Sequence, residues 1–380
     1  MMSPLRASSL AVLGCAALWA LQPGGARAGT DTLSAETEAV FQRDASAVVK
    51  IEAQDEGGPL SGTGFFVDSD GTIFTNYSVG GDSRDIFISY GGVRYPASRV
   101  AADVRSGLAI LKLGPPNLLS GDEAAADPHS NVPQKTPFLP LGKAADLGVA
   151  ALVMTIGYPL NLPVTPSIGC VGGFDISDGG RFFAVSHIRA NVPAERGEGG
   201  APLLNMDGEV VGILESSADG GAGCFVLPIE AAEKVQSDFV RYGGVRPGWL
   251  GVRFDQSQAS ASQIEVKDFL EGSPAKKAGL QPGDLILQVG DRKITSFSDA
   301  LNAAFYLTAG EAVGLTVSRG GQPIELQVTP EANPQAAPQP GAPGPSFTLV
   351  SGSNQPAAGA RNFTFSFVSG TSVYIEMLAR

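Results

Sequence analysis

Histidine and cysteine are scarce in this sequence. Two histidines and three cysteines lie scattered through 380 residues, and no spacing among them suits a metal. No metal and no cofactor are expected. Positive charge is thin as well: 26 Lys and Arg stand against 38 Asp and Glu, a formal net charge of -12. Without a basic run there is no field to neutralise phosphates, which argues against nucleic acid as a partner. The acidic surface serves mainly solubility. Long apolar runs are also missing. The one wholly apolar stretch, Leu10–Leu21, is too short to span a bilayer, and no later segment qualifies as transmembrane. Glycine and proline are plentiful instead, at 49 and 27 residues, which suits many short strands joined by turns and points to a mainly β chain.

Arg6, the apolar run and Ala26-Arg27-Ala28 follow one another as in a secretory signal peptide with a small-x-small cleavage site, over residues 1–28. The mature chain is then exported, to the periplasm or the extracellular space. Cys15 follows Val12-Leu13-Gly14, an imperfect lipobox with much of the apolar run behind it, so a lipoprotein anchor is the lesser alternative. Cys170 and Cys224 would meet an oxidising compartment. A disulfide needs Cα atoms within about 7 Å, and the sequence leaves a bridge and two buried thiols as equal alternatives.

A loosely helical pattern over Leu33–Ala47 precedes a first strand at Val48–Ile51. Short apolar runs then alternate with Gly, Pro, Asn and Asp clusters to about residue 230, at Gly64–Val67, Thr72–Thr75, Ile86–Tyr90, Leu108–Leu113, Leu152–Ile156 and Glu209–Leu214. This is the spacing of a β-barrel or sandwich. Residues 114–135, with Pro115-Pro116 and an acidic patch, read as a surface loop or as the link between two barrels. A second unit, residues 245–330, mixes strands with helical stretches near Pro274–Ala278 and Ser298–Leu307. A Pro/Ala-rich linker at 331–346 leads to a C-terminal extension, 347–380. There Asn362–Met377 reads as a hairpin that must pack on something, because a lone hairpin is marginal in water.

Several motifs carry a family resemblance. SGTGFFVDSDGTIFTNYSV, Ser61–Val79, resembles the segment that delivers the catalytic histidine in HtrA/DegP-like serine proteases, whose pattern ends in TNxHV. DVRSGLAILKL, from Asp103, resembles the aspartate segment, and RANVPAERGEGGAPLLNMDGEVVGIL, Arg189–Leu214, the nucleophile loop with its GNSGGPL. MTIGYPLNLPVTPSIG, residues 154–169, and CFVLPIE, residues 224–230, match further segments in family order. The resemblance implies a trypsin-like double β-barrel over residues 36–240. Carried over residue by residue, it puts Ser78 at the histidine position, Gly107 at the aspartate position and Gly199 at the serine position. A serine protease needs a hydroxyl, an imidazole and a carboxylate there. The expectation is therefore a catalytically degenerate member, a pseudoprotease and no enzyme; the alternative is an active endopeptidase with relocated catalytic residues. His129 and His187 read as solvated or structural. The turn Gly197-Glu198-Gly199-Gly200 either keeps backbone N–H groups of a former oxyanion hole or merely satisfies loop geometry, and Glu198 beside it would repel an anion.

PGWLGVRF, residues 247–254, with EGSPAKKAGLQPGDLILQVGDRKI, residues 271–294, resembles the PDZ domain that follows the protease barrel in this family. Such a domain takes a peptide as an added strand and holds its terminal carboxylate on backbone N–H groups. By resemblance the loop is Trp249-Leu250-Gly251-Val252, with Leu301 closing an apolar side-chain pocket; alternatively Trp249 and Leu250 only cover the domain core. The partners implied are protein C-termini or unfolded polypeptides, with other envelope proteases as further candidates. Relatives assemble through their barrels, so a homo-oligomer is open, and Phe41 is the one aromatic candidate near the mature N-terminus. The last residues, Met377–Arg380, end in arginine and make a poor apolar C-terminal ligand, so self-capping is not the first expectation.

Overall fold

Alternating side chains in Val48–Asp55 turn Val49 and Ile51 inward and Lys50 and Glu52 outward, which starts a barrel at the point where the helical pattern ends. The computed structural model describes residues 25–114, 133–178, 181–255, 264–334 and 372–373. The signal peptide expected at 1–28 lies almost wholly outside the described residues, as do His129, most of the 114–135 segment and nearly all of the C-terminal extension. Helix α1 (Gly25–Asp44) precedes the barrel and begins earlier than the pattern from Leu33 suggests. Its Phe41 is partly buried against the chain's own core.

The first barrel closes in the order β1-β2-β3-β6-β5-β4. Its strands are β1 (Val48–Asp55), β2 (Gly58–Phe66), β3 (Thr72–Asn76), β4 (Arg84–Tyr90), β5 (Val93–Asp103) and β6 (Leu108–Leu113). A single turn, α2 (Tyr77–Gly80), follows β3, with the Asn76 side chain accepting from Val79 N as its N-cap. Val49, Ile51, Phe66, Ile73, Ile88 and Leu111 fill the interior. The second barrel closes as β10-β11-β12-β9-β8-β7. It consists of β7 (Leu152–Gly157), β8 (Thr165–Asp178), β9 (Arg181–Ala190), β10 (Pro202–Leu204), β11 (Val210–Ala218) and β12 (Gly223–Pro228). A further apolar cluster lies between the barrels, joining Phe65, Phe74 and Ile110 of the first to Met154, Ile156 and Ile213 of the second. Barrel closure leaves no free strand edge, so the cleft above this seam is where loops from both barrels can meet.

Helix α3 (Ile229–Tyr242) leaves β12, buries Ile229, Ala232 and Val235, and ends on Gly243, whose φ of 71° is the left-handed C-cap conformation glycine adopts most cheaply. The PDZ domain follows, with β13 (Val252–Asp255), β14 (Ile264–Phe269), α4 (Pro274–Lys277), β15 (Leu285–Val289), β16 (Arg292–Lys293), α5 (Phe297–Phe305), β17 (Val313–Arg319) and β18 (Gln322–Val328). Its sheet runs β18-β17-β15-β14-β13, with β16 pairing β15, and two residues of the C-terminal extension, β19 (Ser372–Val373), continue it on the far side of β13. The mainly β class, the double barrel and the PDZ domain expected from the sequence are all present.

Two clasps seat the PDZ domain on the second barrel. Asn302 of α5 accepts from Ser186 N of β9 at 3.1 Å, and Phe305 buries its ring in the cluster between the barrels. Asp238 of α3, only 2% exposed, accepts from Lys234 Nζ at 2.6 Å, Arg246 N at 3.1 Å and Thr308 Oγ1 at 3.2 Å. A buried carboxylate satisfied this fully holds the domain junction in one arrangement. Among the described residues, no helix is long and apolar enough to cross a membrane.

Candidate functional site

Three loops converge at the cleft, drawn together by backbone hydrogen bonds. Tyr77 N donates to Gly107 O at 2.5 Å, joining the turn after β3 to the β5–β6 loop. Thr63 of β2 donates from its N to Gly199 O at 2.9 Å and from its Oγ1 to Gly197 O at 2.7 Å, tying the first barrel to the 195–200 loop. Asn76 Nδ2 lies 2.7 Å from where a Cβ on Gly199 would stand and donates to Glu215 O at 3.3 Å. Ser78, Gly107 and Gly199 thus sit on neighbouring segments of one cleft. Ser78 is exposed; Gly107 and Gly199 are partly buried.

The glycines have distinct steric reasons. Gly200 has φ 89°, and a Cβ there would collide with Thr63 O and Thr75 Oγ1, so the loop can approach β2 and β3 only with glycine at this position. Gly197 has φ 97°, and a Cβ there would strike Tyr158 O. Glu198 does not flank the turn as an exposed charge. Its side chain folds under the loop into the second barrel, 1% exposed, with Oε2 accepting from Glu195 N at 2.7 Å and Oε1 without a hydrogen-bond partner. Burial pushes this carboxyl above the ordinary range, opposed by the Glu195 N hydrogen bond and aided by the Glu195 charge. An anion at the turn would not face the Glu198 carboxylate directly.

Sequence reasoning missed one pair of side chains here. Glu215 is the extra residue of a β-bulge in β11, between the Leu214↔Val226 and Ser216↔Phe225 pairs, and the bulge re-aims its side chain. The carboxylate meets His187 Nε2, while His187 Nδ1 donates to Val185 O at 2.8 Å. His187 is 1% exposed and stacked on Phe183, with ring centroids 4.0 Å apart. The sequence alternatives of solvated or structural therefore resolve to a buried, paired imidazole. The sequence offers little signal for this pair beyond one histidine in an apolar run.

Cys170 and Cys224 are free thiols. β9 separates their strands, and Cys224 faces the barrel interior. Burial, with the Glu198 charge as second cause, pushes the Cys224 thiol up to about 12, which leaves it unreactive at neutral pH. Among the described residues no group of three or more His, Cys, Asp or Glu side chains is arranged to hold a metal ion. A cleft of about 790 Å³ lies away from these loops, between Lys143, Glu230 and Glu233 on one side and Arg292, Asp299 and Asn302 on the other, lined by charges of both signs.

In the PDZ domain, Gly251 has φ 69°, and a Cβ there would strike Trp249 and Ser273. The loop is anchored at Leu250, whose carbonyl accepts from Ser273 Oγ at 2.8 Å and Ala275 N at 3.2 Å. Trp249, Leu250, Val252 and Leu301 are all partly exposed. Leu250, Val252 and Leu301 border the domain's apolar core, so these side chains both cover the core and face outward.

The family of trypsin-like peptidase domains matches residues 62–213, and the PDZ family matches residues 248–329. A probable periplasmic serine endoprotease, DegP-like, of Chlamydia pneumoniae is 30% identical over 295 residues, covering 73% of this chain and 56% of that protein. Serine protease HTRA1 of Xenopus tropicalis is 29% identical over 325 residues, covering 77% of this chain and 66% of that one. The chain spans little more than half the length of the DegP-like relatives it matches. Among solved structures, the HtrA-type protease AlgW with a tripeptide superposes with a TM-score of 0.61 at 21% identity, covering 80% of this chain and 98% of that chain. The serine endoprotease from Yersinia pestis reaches 0.53 at 25% identity, over 78% and 97%.

These relatives correct the expectation that the chain is no enzyme, since the proteins it resembles are named as serine endoproteases. The physical reason is plain. That expectation rested on three positions carried over by resemblance alone, and the cleft, the glycine turn and the buried His187–Glu215 pair lie outside it.

Proposed function

From the premise that this chain is an HtrA/DegP-like protein, a trypsin-like peptidase domain followed by one PDZ domain, we propose that it works in the cell envelope by taking hold of polypeptides. The PDZ domain engages protein C-termini or unfolded segments, and the double barrel is the platform on which α5 seats it. One observation carries this reading: the outer edge of β13, beside the Trp249–Val252 loop, accepts an added antiparallel strand, which is how a PDZ domain takes a peptide. Trp249, Leu250, Gly251 and Val252 would supply the carboxylate loop, and Leu301 the wall of the side-chain pocket. A screen of the full chain against peptides with randomised C-termini tests the proposal. Gly251→Asp and Leu250→Glu are expected to abolish selection; the same peptides emerging from wild type and both variants would refute it.

A second reading is peptide-bond cleavage in the barrel cleft, favoured by the relatives' names and by the His187–Glu215 pair beside the three loops. Ser78, Gly107 and Gly199 supply no triad, so cleavage would have to draw on other side chains of this chain. Casein turnover that disappears on substituting a single residue of the chain would establish it.

A further inference from the structure

The C-terminal extension shows that β13 accepts a strand, but neither reading gives the extension a role of its own. Its residues 362–377 alternate in the manner of strands, and a strand pair of that size needs a surface. Two of those residues, β19, are paired with β13. Val373 lies opposite Phe254 and Ser372 opposite Asp255, antiparallel to β13. Residue numbers rise along the segment as they fall along β13, so it runs toward the Trp249–Val252 loop, the direction in which a C-terminal ligand would enter.

The tether starts at the same place. Trp249 and Glu331 exchange two backbone hydrogen bonds, N to O at 2.8 and 3.1 Å, so the chain leaves the PDZ domain beside the loop itself. Thirty-seven residues separate Pro334 from Ser372, a length of chain of roughly 100 Å at about 3 Å per residue. That is ample to return to the neighbouring strand edge. A segment tethered this way acts at an effective concentration on the order of millimolar. The terminal arginine is no obstacle, because the pairing uses residues ahead of the terminus and needs no carboxylate.

We propose that the chain's own segment around Ser372–Val373 occupies the outer edge of β13 in cis, so that a peptide from another protein must displace it; this rests on the peptide-binding reading of the PDZ domain. Proline removes a backbone donor and restricts φ, which a ladder strand does not tolerate. One of two consecutive strand residues turns its N–H toward the partner, so Ser372→Pro/Val373→Pro in the full chain breaks the pairing whichever residue donates. Thermal unfolding of both chains serves as the control for folding.

Hydrogen exchange should show the β13 amide that points away from β14, at Phe254 or Asp255, protected in wild type and unprotected in the double variant, while the amides paired with β14 stay protected in both. A fluorescein-labelled synthetic peptide of residues 367–378, added in trans, should bind the double variant about tenfold or more tightly than wild type, the factor set by release of the tethered competitor. Equal protection of the outward-facing amide at Phe254 or Asp255 in the two chains, or equal affinity for the labelled peptide, overturns the proposal. If protection and affinity change as expected while no free C-terminal peptide competes with the label, cis occupancy stands and the wider ligand reading falls.

Discussion

The carboxyl carbon of Glu215 lies 2.9 Å from the point where a Cβ on Gly107 would stand. A carboxylate from the second barrel therefore fills the space that a side chain at position 107 would need, and from there it pairs with His187. The two features depend on each other: glycine at 107, with φ 76°, makes room for the bulged glutamate.

Gly107→Asp should accordingly destabilise the chain. It places a Cβ at positive φ and a second carboxylate against Glu215, and the combined strain and repulsion should cost about 2–4 kcal/mol in urea unfolding. Adding Glu215→Gln should restore part of that loss, because it removes the like charge. Additive losses in this double-mutant cycle would show that the two positions do not interact.

Glu198 makes stability depend on pH in a definite direction. Its folded-state carboxyl is raised by burial above the ordinary 4.5, so the folded chain binds the proton more tightly than the unfolded chain. The associated stability is fully present below pH 4.5 and is lost as pH rises through the folded value. Glu198→Gln, neutral throughout, should match wild type near pH 4 and exceed it by about 1 kcal/mol at pH 7. Parallel denaturation curves at both pH values, with a constant gap, would refute this.

Asp284 behaves in the opposite sense. It is 1% exposed, accepts from Arg319 Nε and Nη2, each at 2.7 Å, and also from Gln281 N at 2.8 Å. The Arg319 hydrogen bond chiefly holds its carboxyl below the ordinary 3.8. Its contribution is present above that value and is lost as pH falls through the folded one. Asp284→Asn should lower the thermal midpoint by about 5 °C at pH 7 and leave a smaller difference near pH 2. An equal midpoint at neutral pH would contradict the role of this pair.

The legible part of the fold was the part written in short apolar runs bounded by turn residues. β1 alternates from Val49 on, while β3, β4, β6 and β7 read as short apolar runs, and the two PDZ helices carry N-caps, Ser273 and Ser296, just ahead of them. β8 was hidden by its own glycines. Gly169, Gly172 and Gly173 read as turn signals, yet a Cβ on Gly169 would strike Asn191 O and one on Gly173 the Arg189 guanidinium, so they serve close approach within a strand. β5 was hidden by polar residues and by Pro96. At the site, the motifs located the three loops but not the His187–Glu215 pair, whose partners are 28 positions apart and meet only through a bulge. Glu198 was misplaced because a charged residue in a glycine turn reads as exposed.

The central claim is that the PDZ loop grips a peptide's free C-terminus, and one comparison tests it most directly. A peptide selected by the full chain is titrated as the free acid and as its C-terminal amide, by fluorescence anisotropy. The account predicts that the acid binds at least about tenfold more tightly, a difference of roughly 1.4 kcal/mol, and that Leu250→Glu erases the preference. Equal affinity for acid and amide, or a preference that survives Leu250→Glu, would contradict it.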